Sequence, residues 1–163
     1  MDLEVGAFAA DWKHCDQVAN YMARAVSFDR ADTFLYSNQL STVLNELLEI
    51  AFYQHRVLGV LRCTLFRDGP LDRIEMRIPV DSLQSEFYRN ATAAAQSPDV
   101  AKLYTRSLLG EGIPEHLSGF LELAADYGAG IWLEELDGGA ELRLVADLHF
   151  EEKPLQVLPF IQL

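Results

Sequence analysis

The sequence predicts an α+β fold, a two-layer sandwich with helices packed on one face of a mixed, largely antiparallel sheet. Apolar residues recur at helical spacing in the first part of the chain, alternate at strand spacing after residue 57, and repeat both patterns before residue 150. Helices separated by antiparallel hairpins are typical of this class. The 163 residues, half of them apolar, are enough for one domain with a substantial core.

Two helices are expected before the first hairpin. The stretch DWKHCDQVANYMARAV has apolar residues at helical spacing. After an interruption at SFDRAD, Asp32 is a suitable N-cap for a second helix, because a short carboxylate can accept a hydrogen bond from a first-turn N–H group. Apolar positions in this second helix recur at i, i+3 and i+4 as far as about His55, so one face should pack in the core.

The chain then changes to the alternation of β-strands. Two strands are expected around the turn sequence DGP at 68–70, and the second, at 73–80, alternates apolar with charged side chains. That pattern indicates a strand with one face in water. A second hairpin, with its turn DGG at 137–139, is expected to complete the sheet.

The segment between the hairpins is expected to be helical. DSLQSEFYRNATAAA indicates one helix, and SPDVAKLYTRSLLGEG indicates a less regular helix followed by a loop. Pro114 and Gly128 bound another helix, at its first position and just beyond its end. The sequence DYGAG at 126–130 imitates an adenine-binding aspartate-glycine box, but we interpret Gly128 as a helix stop and Gly130 as the start of a strand.

Composition narrows the classes of function. The net charge of −12 gives a protein that repels phosphate backbones and anionic lipid, so we expect neither nucleic acid nor a membrane as partner. The N-terminus has no signal-peptide pattern, and no stretch is long and apolar enough to span a membrane. Cys15 and Cys63 form no CxxC motif. We therefore expect a cytoplasmic protein with two reduced thiols.

The main candidate for chemistry is Glu46, in the helix STVLNELLEIAFYQH. A glutamate can polarise a water molecule, and an asparagine four residues later can bind the Mg²⁺ of a nucleotide. Ile50 occupies that second position and has no oxygen. Glu49 is near enough on the helix surface to reach a cation instead. The alternative is that Glu46 and Glu49 form the solvated edge of an amphipathic helix.

A second candidate is the pair Gly110 and Gly112, directly before the helix that starts at Pro114. Backbone N–H groups at a helix N-terminus can bind phosphate. Here Pro114 removes one N–H donor, and Glu111 places a negative charge where the phosphate would lie. The alternative is a plain loop leading into the helix.

Together these motifs resemble the histidine-kinase-like ATPases of the GHKL superfamily, over about residues 20–150. In layout the chain is most similar to the small anti-sigma-factor serine kinases. LSTVLNELLEIAFYQH resembles the N-box helix of the superfamily. GEGIPEHLSGFLELAADYGAGIWLEELDGGAELRLVADLHF resembles its last glycine loop, final helix and closing hairpin. The residues that match the N-box are Glu46, Leu47, Leu48, Ala51 and His55.

The resemblance implies a role for each candidate residue. Glu46 would be the catalytic glutamate, Asp81 the adenine-binding aspartate, and Gly110 with Gly112 the phosphate loop. Three departures affect that site: Ile50 replaces the Mg²⁺-binding asparagine, no Gly-x-Gly follows Asp81, and the last glycine loop is reduced to two glycines. They imply that Mg-ATP binding is lost or much weakened.

We therefore expect a bacterial-type cytosolic regulatory or interaction protein without ATP turnover, with no cofactor and no metal site. Its partner would be a protein in a signalling pathway, or a second copy of the chain. One alternative is a working serine-protein kinase with a weakened Mg-ATP site, in which Glu46 is the base and Glu49 the metal ligand. The other is a pocket for a small apolar ligand, lined by Ile50 and Met76.

We expect a single domain over 1–163. The ATPase-like frame at about 20–150 would carry an N-terminal helical extension and an apolar C-terminal tail at 153–163. Phe8, Trp12 and the tail residues 159–161 lie outside that frame. They are candidate contact residues, with packing in the core as the alternative.

Overall fold

The computed structural model describes residues 1–150, except for the side chain of Glu115, and has the predicted α+β architecture. The candidate tail residues 159–161 lie outside the described part of the chain. In chain order the elements are β1 (Asp2–Glu4), α1 (Val5–Phe8), α2 (Lys13–Val26), α3 (Thr33–Gln54), β2 (Val60–Asp68), β3 (Leu71–Pro79), α4 (Ser82–Ala95), α5 (Val100–Leu108), a 3₁₀ turn (Glu115–Leu117), α6 (Ser118–Ala125), β4 (Gly130–Leu136), a 3₁₀ turn (Asp137–Gly139) and β5 (Glu141–His149).

The sheet has the strand order β1-β2-β3-β5-β4, and all four neighbouring pairs are antiparallel. The expectation of a mixed sheet was therefore wrong. After β3 the helical segment leads the chain to the edge of the sheet opposite β1, and leaves the position next to β3 open for β5. There β4 runs in the direction of β3, and β5 then returns between them. An antiparallel sheet results because the helical crossover does not join adjacent strands.

The short β1 strand and α1 helix were not predicted. β1 has three residues and pairs with the start of β2, where Asp2 lies opposite Arg62 and forms an ion pair with it at 2.8 Å. Three residues are too few for an alternating pattern to be recognised. Of the two candidate contact residues here, Phe8 is buried, with its ring edge-on to that of Phe52, whereas Trp12 is about half exposed.

One face of the sheet packs against the helices and forms the core. The side chains that line it alternate along the strands, as the sequence predicted, and the fully buried leucines of α3 pack in the same apolar cluster. Burying each such side chain contributes about 1.5–3 kcal/mol relative to leaving it exposed. The buried residues of this sheet face are Leu61, Cys63, Asp72, Ile74, Met76, Ile78, Ile131, Leu142, Leu144, Ala146 and Leu148.

The opposite face of the sheet carries charged side chains, as predicted for the strand at 73–80. Arg73 forms two hydrogen bonds to Asp147, at 2.7 and 2.8 Å, and its guanidinium lies 4.9 Å from the ring centre of Trp132. Glu75 is only 8% exposed on this face. Arg143 donates a 2.8 Å hydrogen bond to Glu75 and lowers the pKa of that carboxyl. Ion pairs therefore compensate the charges of this face.

Capping and turn residues act largely as predicted. Asp32 caps α3 by accepting a 2.9 Å hydrogen bond from the backbone N–H of Leu35. Gly69 and Gly128 have φ values of +58° and +62°, which favour glycine because it has no Cβ. Gly128 follows the end of α6, as expected of a helix stop. The predicted helix from Pro114 is shorter than expected, since a 3₁₀ turn precedes α6.

Candidate functional site

A cleft of about 520 Å³ lies between the second half of α3 and the start of α6. Helix α6 packs against α3, α4 and α5, which fixes its first turn opposite the α3 residues that carry the predicted chemistry. The lining of the cleft combines acidic, aromatic and apolar groups. The lining residues are Glu46, Glu49, Ile50, Tyr53, Gln54, His116, Ser118 and Gly119.

Glu46 is the electrostatically unusual residue of this cleft. Burial, reinforced by the negative charges of Glu122 and Glu49, raises the pKa of the Glu46 carboxyl to about 7. Burial of a carboxylate disfavours its charged form, and like charges add to that effect. Among residues 1–150 no group donates a hydrogen bond to this carboxylate or forms an ion pair with it. Glu46 therefore presents a half-buried carboxylate that no neighbouring cation compensates.

Close packing of α3 against α6 holds Glu46 and Ile50 in position. A Cβ built on Gly119 would lie 3.1 Å from Ile50 Cδ1 and 3.3 Å from Glu46 Oε2. Only glycine accommodates both side chains at that distance without displacement. Ile50 is 8% exposed, so its apolar side chain fills the interface between the two helices.

Glu49 is held by its own helix. Asn45 Nδ2 donates a 2.9 Å hydrogen bond to Glu49 Oε1, one turn apart on α3. The pKa of the buried Cys15 thiol is raised to about 12 by burial and, to a smaller extent, by the Glu49 charge. Within residues 1–150, no group of three or more histidine, cysteine, aspartate or glutamate side chains is arranged to hold a metal ion.

Asp81 has a structural role at the start of α4. Its Oδ1 accepts a 2.8 Å hydrogen bond from the backbone N–H of Gln84, while the Gln84 side chain accepts one from the Asp81 N–H, which together form a capping box. Its Oδ2 accepts a 3.0 Å hydrogen bond from Arg56. These bonds, led by that from Gln84, lower the pKa of Asp81. Asp81 is not among the residues that line the cleft.

Gly110 and Gly112 also lie away from the cleft. Their φ values are +69° and +74°, and a Cβ on either would meet nothing within 4 Å. Between them, the N–H of Glu111 donates to the Arg106 carbonyl, and the Arg106 guanidinium donates to the Glu111 carbonyl. These glycines allow the exposed loop after α5 to turn. The structure thus brings Glu46, Glu49 and Ile50 together, without Asp81 or the two glycines.

The sequence did not identify several residues of the cleft. Tyr53 is 68% exposed at its rim, and His116 and Ser118 lie at the start of α6, with the His116 ring 5.5 Å from that of Phe87. No spacing in the sequence connects them with Glu46. Met76, expected beside Ile50 in a pocket, is instead fully buried on the core face of β3.

A second depression, of about 220 Å³, lies where the end of α2 meets β2. We call it the Phe28–Phe66 groove, because these two largely exposed rings line it. Its wall contains a buried network in which Asp72 accepts hydrogen bonds from Arg30 and from the Tyr36 hydroxyl. No local pattern predicts this network, because Arg30 and Asp72 are 42 residues apart in the chain.

Comparison with known proteins does not identify the chain, because no family model, curated protein or solved structure matches it. The resemblance to histidine-kinase-like ATPases gains no support from these comparisons. None of the helices in residues 1–150 is sufficiently long and apolar to cross a membrane.

Proposed function

We propose that this chain is a bacterial-type cytosolic regulatory protein that acts through protein contacts, on a degenerate histidine-kinase-like ATPase fold without ATP turnover. In this proposal the Glu46 cleft receives a basic side chain of a protein partner. The observation that carries the proposal is the half-buried Glu46 carboxylate, which no described cation compensates, in a cleft of about 520 Å³.

The charge of the cleft supports a cationic group as its occupant. Glu46 and Glu49 line the cleft, and the Glu122 charge acts on Glu46 from α6. A guanidinium or ammonium group would replace this repulsion by attraction, in surroundings where water screens charges less than in bulk. A triphosphate would add negative charge to the same place. Complementary charge therefore favours a basic ligand.

The rim of the cleft supports a protein segment as the source of that group. Tyr53 is 68% exposed and can pack against the aliphatic stem of an arginine or a lysine, or lie against a guanidinium. Leu83 is 57% exposed and precedes Gln84 in the sequence. The Gln84 side chain donates a 2.7 Å hydrogen bond to the carbonyl of Gln54, the residue after Tyr53. Exposed tyrosines and basic partners are common at protein interfaces.

The contacts of the other candidate residues support a protein without ATP turnover. Both carboxylate oxygens of Asp81 are engaged by Gln84 and Arg56. Ile50 is packed against Gly119. Each contact stabilises the fold in the present arrangement, and each would have to be broken to form a nucleotide site.

A second candidate function is a nucleotide-dependent serine-protein kinase with a weakened site. The observation in its favour is the Glu46 pKa of about 7, since a general base works best when its pKa is near the working pH. This candidate requires Mg-ATP in the Glu46 cleft, whereas the first requires a basic side chain there.

Titration with N-acetylarginine amide tests the first proposal. We expect chemical-shift changes at Glu46, Tyr53 and Ser118, with a dissociation constant on the order of 1–10 mM. The affinity should rise roughly tenfold between about pH 6 and pH 8, because only ionised Glu46 attracts the guanidinium and its pKa is near 7.

N-acetylcitrulline amide, which has the same shape without the charge, is the matched ligand control and should not bind measurably. Glu46→Gln should weaken arginine binding about tenfold, whereas Glu86→Gln, at an exposed position on α4, should leave it unchanged. Equal affinity for the arginine and citrulline derivatives would contradict the proposal.

A further inference from the structure

The Phe28–Phe66 groove exposes apolar surface next to the last described residue. Phe28 and Phe66 are 80% and 50% exposed. Val26, Leu40 and Leu65 add further apolar lining. Exposed aromatic side chains around a depression indicate a surface that contacts another segment or another protein.

The last described residue, Phe150, contacts one residue of the groove wall. The ring of Phe150 packs edge-on against the ring of Tyr36, with centroids 5.6 Å apart, and Tyr36 lines the groove. Just before it, Leu148 lies opposite Asp72, which also lines the groove. The described part of the chain therefore ends at a residue that touches the groove wall.

We propose that the C-terminal segment at 153–163 of the same chain occupies the Phe28–Phe66 groove. Its sequence, KPLQVLPFIQL, contains six large apolar residues and two prolines. The apolar side chains match the lining of the groove. The prolines restrict the free segment, which lowers the entropy lost when it binds.

Length and tethering favour the chain's own segment over a second copy. The 13 residues after Phe150 can extend to about 45 Å, enough to reach a groove whose lining residue Tyr36 contacts Phe150. A short tether gives an effective concentration in the millimolar range, which exceeds that of a second copy at micromolar protein concentration. While the segment is bound, other proteins cannot enter the groove.

Paramagnetic relaxation in the 163-residue chain tests this inference. A spin label attached at Gln162→Cys will react selectively, because the native Cys15 and Cys63 are fully buried. The methyl signals of Val26 and Leu65 should lose more than half their intensity. The same label in a Phe28→Asp background should cause much less loss, with the fold retained because Phe28 is exposed.

Two results would overturn the proposal, and neither depends on the Glu46 cleft. One is full signal intensity at Val26 and Leu65 in the labelled chain. The other comes from a mixture of two samples, one spin-labelled without isotope and one isotope-labelled without the spin label. Equal signal loss in this mixture would identify a second copy as the occupant. Signal loss that occurs only when one chain carries both the isotope and the spin label supports the proposal.

Discussion

Replacement of Asp72 by alanine is expected to lower the free energy of unfolding by about 3–5 kcal/mol. Arg30 Nη2 lies 3.0 Å from both carboxylate oxygens of Asp72, and the Tyr36 hydroxyl donates to the same carboxylate at 2.7 Å. Arg67 adds a contact at 3.3 Å. The Arg30 and Asp72 side chains are 8% and 7% exposed, so alanine would remove a buried carboxylate that two arginines and a tyrosine hydroxyl contact.

The matched control is Asp147→Ala on the opposite face of the sheet. Asp147 also accepts two hydrogen bonds from an arginine, but Arg73 and Asp147 are 34% and 17% exposed and better solvated. Its loss should cost about 1 kcal/mol. Urea unfolding of both variants near neutral pH measures the difference. A cost for Asp72→Ala no greater than that for Asp147→Ala would show that the buried network does not stabilise the fold.

The second large effect is expected from Glu46→Gln, which should stabilise the protein by about 2 kcal/mol near pH 8 and leave it unchanged near pH 4. The pKa of Glu46 is raised in the folded state from 4.5 to about 7. The protonated carboxyl therefore contributes stability that is fully present below about pH 4.5 and is lost as the pH rises through 7. Glutamine does not titrate and keeps that contribution.

Urea unfolding of the native chain and of Glu46→Gln across this pH range measures the effect. Glu86→Gln, at an exposed position on α4, is the control and should change stability by less than about 0.5 kcal/mol throughout. A loss of stability in Glu46→Gln near pH 8 would mean that the surroundings stabilise the ionised carboxylate, which contradicts a pKa raised by burial and by like charges.

Much of the fold could be predicted because its signals are local. The apolar spacing of α3, the Asp32 cap and the alternation along β3 and β5 each depend on residues close in sequence. The all-antiparallel pairing could not be predicted in the same way. The pairing depends on whether β4 or β5 lies beside β3. That choice depends on how the whole helical segment between β3 and β4 packs, and no local pattern in the sequence records it.

The candidate site was predicted only where one helix carries it. Glu46, Glu49 and Ile50 share α3, so their proximity follows from helical geometry. Asp81 illustrates the limit. Its motif is compatible both with adenine recognition and with a helix cap, and the hydrogen bond from Gln84 that distinguishes these roles is visible only in the structure.

The buried network beside the Phe28–Phe66 groove could not be predicted from the sequence. Arg30 and Asp72 are 42 residues apart, and each belongs to a local pattern that is ordinary for a loop or a strand. Their pairing arises from the contact between the α2–α3 connection and the sheet. Charged pairs of this kind have no periodic signal, so a single sequence does not reveal them.

We propose that the Glu46 cleft receives positive charge from a protein and does not bind nucleotide. Calorimetric titration of Mg-ATP into the 163-residue chain tests this proposal. We expect no saturable binding at millimolar ATP, and no gain in affinity with Ile50→Asn. Micromolar Mg-ATP binding that Glu46→Ala abolishes would contradict the claim and favour the kinase.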